Sequence, residues 1–192
     1  FRSTSKTEMR KKYGFGDEKI IVFVGRLEAE KRAQLLIESF EMLEKEVSAR
    51  LLIVGEGSER MKLEQIADLN VRFLGTIPQE EVAEVLSLAD VLVLCSEYEG
   101  LPTVVLESLA CGTPVVSTDV GDVNKVVIDR KTGYLTDGSI EDLKEKISIV
   151  LEDSERFKYD CIEIASKYSW EVISEKIIDV YGEVSDEVSK ES

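Results

Sequence analysis

Cys95-Ser96-Glu97-Tyr98-Glu99-Gly100-Leu101-Pro102-Thr103-Val104-Val105-Leu106-Glu107-Ser108-Leu109-Ala110-Cys111-Gly112 follows directly on the apolar run Asp90-Val91-Leu92-Val93-Leu94. That run is short and aliphatic, β-branched at Val91 and Val93, and reads as a buried strand. Pro102 stands where a helix can begin, since its missing N–H is no loss in a first turn. Thr103 to Ala110 carry the helix and Gly112 closes it as a C-terminal cap. The order is strand, Gly-Leu-Pro turn, helix. The helix therefore starts at the carboxyl end of the strand, where free N–H groups and the positive end of the dipole favour a phosphate.

Two carboxylates give this turn its character. Glu99 lies in the turn and Glu107 in the helix, eight positions on. Glu107 is about 6–8 Å along the helix from its start, at about 1.5 Å per residue. Carboxylates repel phosphate, so neither is a phosphate ligand. As pure acceptors they suit sugar hydroxyls. The pattern fits a molecule with hydroxyls at both ends and phosphates between, of which a nucleotide sugar is an example. The same spacing also suits two solvated glutamates in an acidic protein.

The 192 residues are 43% hydrophobic and 33% charged, enough for one domain with a sizeable core. A net charge of −15 argues against nucleic acid or an anionic membrane as the main partner. Cys95, Cys111 and Cys161 lack metal-ligand spacing, and buried reduced thiols in a cytoplasmic protein are expected. The absence of histidine removes Ser-His and Cys-His catalysis. No metal site, secretory signal or transmembrane span is expected. The chain opens at Phe1 rather than Met, as expected of a fragment.

Outward from the quoted stretch, apolar strands alternate with helical patterns. Phe1 to Asp17 (residues 1–17) is polar and reads as a lead-in or interdomain segment. Strands are expected at Lys19–Gly25, Arg50–Val54, Val71–Leu74, Asp90–Leu94, Pro114–Thr118 and Gly133–Thr136. Helices are expected at Lys31–Val47, Glu59–Leu69, Pro78–Leu88, Thr103–Ala110, Ile140–Leu151, Ser154–Lys167 and Ser169 to Val184. Trp170 reads as a packing anchor and Ser169 as an N-cap. Residues 185–192 read as a frayed tail. Alternation of this kind predicts an α/β fold: a single Rossmann-like, doubly wound parallel sheet of about six strands, helices on both faces, over residues 18–184.

Such sheets bind ligands beyond the carboxyl ends of their strands. The first strand ends there in Gly25-Arg26-Leu27-Glu28-Ala29-Glu30-Lys31-Arg32. Gly25 is read as a sharp turn, Arg26 as a planar fork for phosphate oxygens and Lys31 as a point charge. Lys31 and Arg32 are equally readable as solvated residues at a helix start. Gly55-Glu56-Gly57-Ser58 begins like a dinucleotide fingerprint but has Arg60 where the third glycine belongs, which disfavours hydride transfer. Phe73 to Pro78 offers a wall for a nucleobase, or simply a strand end and a helix-starting proline.

Taken together, these pieces resemble the C-terminal, donor-binding domain of GT-B glycosyltransferases, the retaining group called glycosyl transferases group 1, or family 4. The resemblance rests on Val24-Gly25-Arg26-Leu27 with Lys31, Val54-Gly55-Glu56-Gly57, Arg72-Phe73-Leu74-Gly75, and Ser96 through Gly112 with Glu-x7-Glu at Glu99 and Glu107. Pro114 to Thr118 and Tyr168-Ser169-Trp170 also match, so it spans about residues 18 to 182. The resemblance implies that Arg26 and Lys31 bind the donor diphosphate and stabilise the leaving group, and that Glu99 holds the transferred sugar. It implies that the N–H groups near Thr103 and Val104 bind phosphate and that Glu107 binds the ribose. Transfer would retain the anomeric configuration, with no cofactor and usually no metal. The family often reads Gly-Gly-x-Pro-Glu after the fifth strand; this chain has Gly121-Asp122-Val123-Asn124-Lys125.

The expected function is thus donor binding in a retaining glycosyltransferase that uses a nucleotide-diphosphate sugar. The acceptor would bind an N-terminal domain outside this chain, and any membrane contact would pass through that domain. The isolated chain would be inactive. A non-catalytic nucleotide-sugar binding module and a GT-B sugar-nucleotide epimerase are the alternatives.

Overall fold

The structure, a computed structural model, describes residues 5–190. The first four residues of the lead-in and the last two of the tail lie outside the described residues. Six strands, β1 (Lys19–Val24), β2 (Ala49–Val54), β3 (Val71–Gly75), β4 (Val91–Leu94), β5 (Val115–Thr118) and β6 (Gly133–Thr136), form one parallel sheet in the order β3-β2-β1-β4-β5-β6. Eight α-helices accompany them among the described residues: α1 (Lys6–Tyr13), α2 (Ala33–Leu43), α3 (Arg60–Ile66), α4 (Gln79–Leu88), α5 (Thr103–Cys111), α6 (Ile140–Glu152), α7 (Lys158–Ser166) and α8 (Trp170–Lys190). This is the expected doubly wound fold.

The middles of β1, β2 and β4 are apolar on both sides because both sheet faces are covered there. Ile20 to Phe23 and Val91 to Val93 are fully buried. Each such side chain contributes about 1.5–3 kcal/mol on burial. Helix α2 packs on α6 over one face, and α5 packs on α4 and α7 over the other. Strand order reverses between β1 and β4: the chain runs outward from β1 to β3, returns beside β1 as β4, then runs outward to β6. The loops after β1 and β4 leave the sheet in opposite senses, and the crevice between them is the binding position of this architecture.

Several boundaries differ from the sequence reading. The polar lead-in contains α1, which buries none of its own residues and so carries no apolar period to read. Met9 and Tyr13 pack, partly buried, against the core, and ion pairs add to this. Lys6 and Arg10 pair with the buried Asp90 at 2.8 and 2.5 Å, and Lys12 pairs with Glu84 at 2.6 Å. Ser5 Oγ accepts the Glu8 N–H, and Gly14 ends the helix at φ 75°. Helix α2 begins at Ala33 rather than Lys31, because Arg32 is left-handed (φ 51°) and separates it from a 3-10 turn at Ala29–Lys31. Likewise Ser154–Phe157 is a 3-10 turn ahead of α7. Ser169 caps α8 as expected, its Oγ accepting the Val172 N–H, but the helix runs on to Lys190 through the expected tail. Trp170 is not a packing anchor: it is 82% exposed.

Candidate functional site

At the end of β1, the Gly25 N–H donates to Val54 O on β2. Gly25 itself is not the glycine that this turn requires. A Cβ on it would make ordinary contact with the Phe23 ring at 3.5 Å, whereas one on Gly55 (φ 132°) would lie 1.9 Å from Gly25 O. The backbones of the two loops touch, and Gly55 is the residue that permits it.

The following loop directs its two expected cations differently. Arg26 is largely exposed, 72%, with Nη2 3.2 Å from Glu30 Oε1. Lys31, at the end of the 3-10 turn, projects into the crevice and puts Nζ 2.5 Å from Glu99 Oε1, both side chains being largely buried. Ser96 Oγ donates to the same oxygen at 2.7 Å. The Glu97 N–H donates to Glu30 O at 2.9 Å, a backbone tie between the β1 and β4 loops. Lys31 and Glu99 are thus brought together, and each neutralises the other. An anion approaching Lys31 meets a compensated carboxylate rather than a bare one.

Helix α5 starts at Thr103 behind Pro102, and no side chain caps its first turn. The N–H groups of Thr103 and Val104 belong to that turn, whose first donors have no partner within the helix. Glu107 is half-buried, and burial pushes its carboxyl above the ordinary range, partly offset by a hydrogen bond with Gln79, the first residue of α4. Glu99 therefore faces the β1 loop and Glu107 faces the start of α4, on opposite sides of the α5 N-terminus. Next to Glu107 lies the Phe73–Pro78 segment, where Arg60 stacks over the Phe73 ring at 5.7 Å. The Asp122 carboxylate is turned outward to Lys125 at 2.8 Å.

Sequence reasoning missed Ser96 and Glu30. Ser96 has a legible signal, a hydroxyl three positions before Glu99 in the same turn. Glu30 contributes through its carbonyl, which leaves no mark in a sequence. Arg32, read as one of two ordinary cations, adopts φ 51° and donates from Nη2 to Gly138 O at 3.2 Å. The three cysteines are free and buried; desolvation raises all three thiols, Cys95 to about 12. Among the described residues no cluster of three or more His, Cys, Asp or Glu is arranged to hold a metal ion, and no helix is long and apolar enough to cross a membrane.

A family model described as glycosyl transferases group 1 matches residues 5–180. N-acetyl-alpha-D-glucosaminyl L-malate synthase of Bacillus anthracis is 35% identical over 156 residues, covering 78% of this chain and 40% of that protein. Sucrose-phosphate synthase from Thermosynechococcus elongatus superposes with a TM-score of 0.87 at 27% identity, over 96% of this chain and 49% of that one. A TarM variant from S. aureus, crystallised with fondaparinux, alpha-GlcNAc-glycerol and UDP, superposes with a TM-score of 0.76 at 29% identity, over 85% of this chain and 35% of that one. The chain spans less than half the length of the curated relatives it matches first, 40%, 49% and 43%.

Proposed function

Since the chain belongs to glycosyl transferases group 1, we propose that it is the donor-binding domain of a retaining glycosyltransferase. It binds a nucleotide-diphosphate sugar, and the acceptor sits on a second, N-terminal domain outside this chain. The observation that carries the reading is the Lys31–Glu99 contact, which joins a phosphate-type cation to a sugar-type carboxylate at the uncapped end of α5. UDP in the TarM crystal makes uridine nucleotides the first to test.

In this reading the diphosphate lies over the α5 N-terminus, against the N–H groups of Thr103 and Val104, with Gly25, Arg26 and Lys31 across from it. The Lys31 ammonium has three donors, so one bond to Glu99 leaves two for phosphate oxygens. Departure of the nucleoside diphosphate places negative charge beside Lys31 and Arg26, where fixed cations lower the barrier. Glu99 holds hydroxyls of the transferred sugar, and Glu107 accepts from the ribose beside α4. No cofactor takes part. Exposed apolar residues on α8, namely Trp170, Ile177, Ile178, Val180 and Tyr181, support a partner domain that covers them. The buried free thiols suit a cytoplasmic setting.

The test is a thermal-shift and calorimetric screen of UDP, GDP and ADP with their sugars. Stabilisation by one nucleoside diphosphate and its sugar is expected. No stabilisation by any of them overturns the reading.

A further inference from the structure

The segment after β5 runs against the turn that carries Glu99. Gly121 has φ 57°, and a Cβ on it would lie 2.2 Å from Glu99 O and 2.3 Å from Gly100 O. No side chain fits there, and the obstacle is backbone, which cannot swing aside. The Asp122 N–H donates to Gly100 O at 2.9 Å. At the other end of the turn, Thr118 Oγ1 donates to Ser96 O at 2.6 Å, and Ser96 Oγ donates to Glu99 Oε1 at 2.7 Å. Thr118 and Ser96 are both buried. The residues from Thr118 to Asp122 therefore form a strap that grips the Ser96–Gly100 turn at both ends.

We infer that Thr118 and Gly121 are positioning residues for Glu99 and set the donor-sugar preference without governing nucleoside diphosphate affinity. The inference rests on the donor-binding reading. The strap reaches only the Glu99 turn. Arg26 pairs with Glu30 and Glu107 with Gln79, and Lys31, although it touches Glu99, is carried on the backbone of its own 3-10 turn. Hydrogen bonds tolerate little error in distance, so a displacement of about 1 Å at Glu99 is enough to break those to a sugar hydroxyl. The strap also accounts for Asp122, where the family often reads a second glycine. Only its N–H is used, and its carboxylate pairs with Lys125.

The test compares Gly121→Ala and Thr118→Val in the 192-residue chain, with Leu151→Ala in the buried face of α6 as a control for general destabilisation. Hydrogen exchange is read across residues 96–100. Affinity is measured for UDP, GDP and ADP against UDP-glucose, UDP-N-acetylglucosamine, GDP-mannose and ADP-glucose. Both strap variants should exchange faster across 96–100. They should weaken the sugar-bearing donor by about 10-fold or more while leaving its nucleoside diphosphate within about two-fold. Leu151→Ala should leave the ratio of the two affinities unchanged. Thr118→Val is isosteric and carries the test by itself if Gly121→Ala does not fold. Unchanged exchange, or equal loss of both ligands, overturns the strap while the donor reading stands. Failure of the parent chain to bind any of these nucleotides overturns the donor reading and the strap with it.

Discussion

Lys31 Nζ and Glu99 Oε1 lie 2.5 Å apart although 68 residues separate them in the chain. The cation expected to face phosphate and the carboxylate expected to face sugar are each other's partner. Neither can be altered without changing the charge that the other presents.

Glu99→Gln is therefore expected to split the two halves of the donor. Nucleoside diphosphate binding stays level or tightens, because Lys31 loses a competing anion. The sugar-bearing donor weakens by about 1.5–3 kcal/mol, or about 10- to 150-fold. Calorimetry with a matched pair of ligands checks this. Parallel losses for both ligands would remove Glu99 from the sugar end.

Arg26→Ala should weaken a nucleoside diphosphate by about 1.5 kcal/mol or more, about tenfold, with the nucleoside unaffected. Its ion pair with Glu30 is solvent-exposed, so thermal stability should barely move. Equal losses for nucleoside and diphosphate would take Arg26 out of the phosphate site.

Glu107 combines a binding prediction with a pH prediction. Burial raises its carboxyl pKa, so in the folded protein it takes up a proton at a higher pH than an exposed glutamate does. As pH falls, the ribose acceptor is lost before the surface carboxylates protonate, and affinity declines with it. The sign for stability is opposite: the ionised form is disfavoured by folding, so Glu107→Gln should be neutral or stabilising at pH 7 while nucleotide affinity drops. The check is titration of a nucleoside diphosphate from pH 8 to 5 with both proteins. Subtracting the variant removes the ligand's own phosphate titration, and identical pH profiles would contradict the assignment.

Asp90 governs stability rather than binding. Burial alone would raise its carboxyl, but Lys6, the Ile20 N–H and Arg10 outweigh that and hold it below the ordinary value of 3.8. A lowered folded pKa contributes stability that is complete above the unfolded value and disappears as pH falls through the folded one. Asp90→Asn should cost about 2–4 kcal/mol at pH 7, since it strands two partly buried cations. The loss should shrink below about pH 4, where protonation of Asp90 in the unfolded chain begins to erode the parent's advantage. Urea unfolding at pH 7 and pH 3 measures both. A deficit unchanged at pH 3 would mean that packing, not charge, is what the substitution removes.

The isolated chain should transfer no sugar to any acceptor, because the proposed function puts the acceptor on another domain. Turnover by purified chain alone would relocate the active site into these residues.

The sheet was legible because the middles of β1, β2 and β4 are apolar on both faces, and alternation of such runs with helices admits few arrangements. Gly133–Thr136 was read to the residue. At the candidate site, residue type and spacing single out Glu99 and Glu107, and the fold sets Glu99 against Lys31 and Glu107 beside Gln79. What escaped was held by other means. Helix α1 sets only two apolar residues, Met9 and Tyr13, half-buried against the core, and its ion pairs and hydrogen bond reach residues some 70 to 80 positions away. Arg32 takes a left-handed backbone that its residue type does not announce. Trp170 reads as a packing residue on size alone, yet it is 82% exposed. Gly25 reads as the glycine of a sharp turn, yet the glycine that the turn requires is Gly55, because sequence shows a glycine but not which of two touching loops lacks room.

The central place of β1 has a consequence for synthesis. Its pairing with β2 is complete once residue 54 has emerged, yet its other edge waits for β4, which brings Val91 opposite Ile21 and Leu92 opposite Val22. Until then a strand whose middle is wholly apolar has one open side, the kind of edge that pairs with other chains. The Asp90 carboxylate closes this interval, accepting the Ile20 N–H at 2.7 Å as β4 arrives. The crevice between the two loops does not exist before that moment, so recovery of nucleotide binding during refolding reports arrival of the fourth strand rather than initial collapse of the first two.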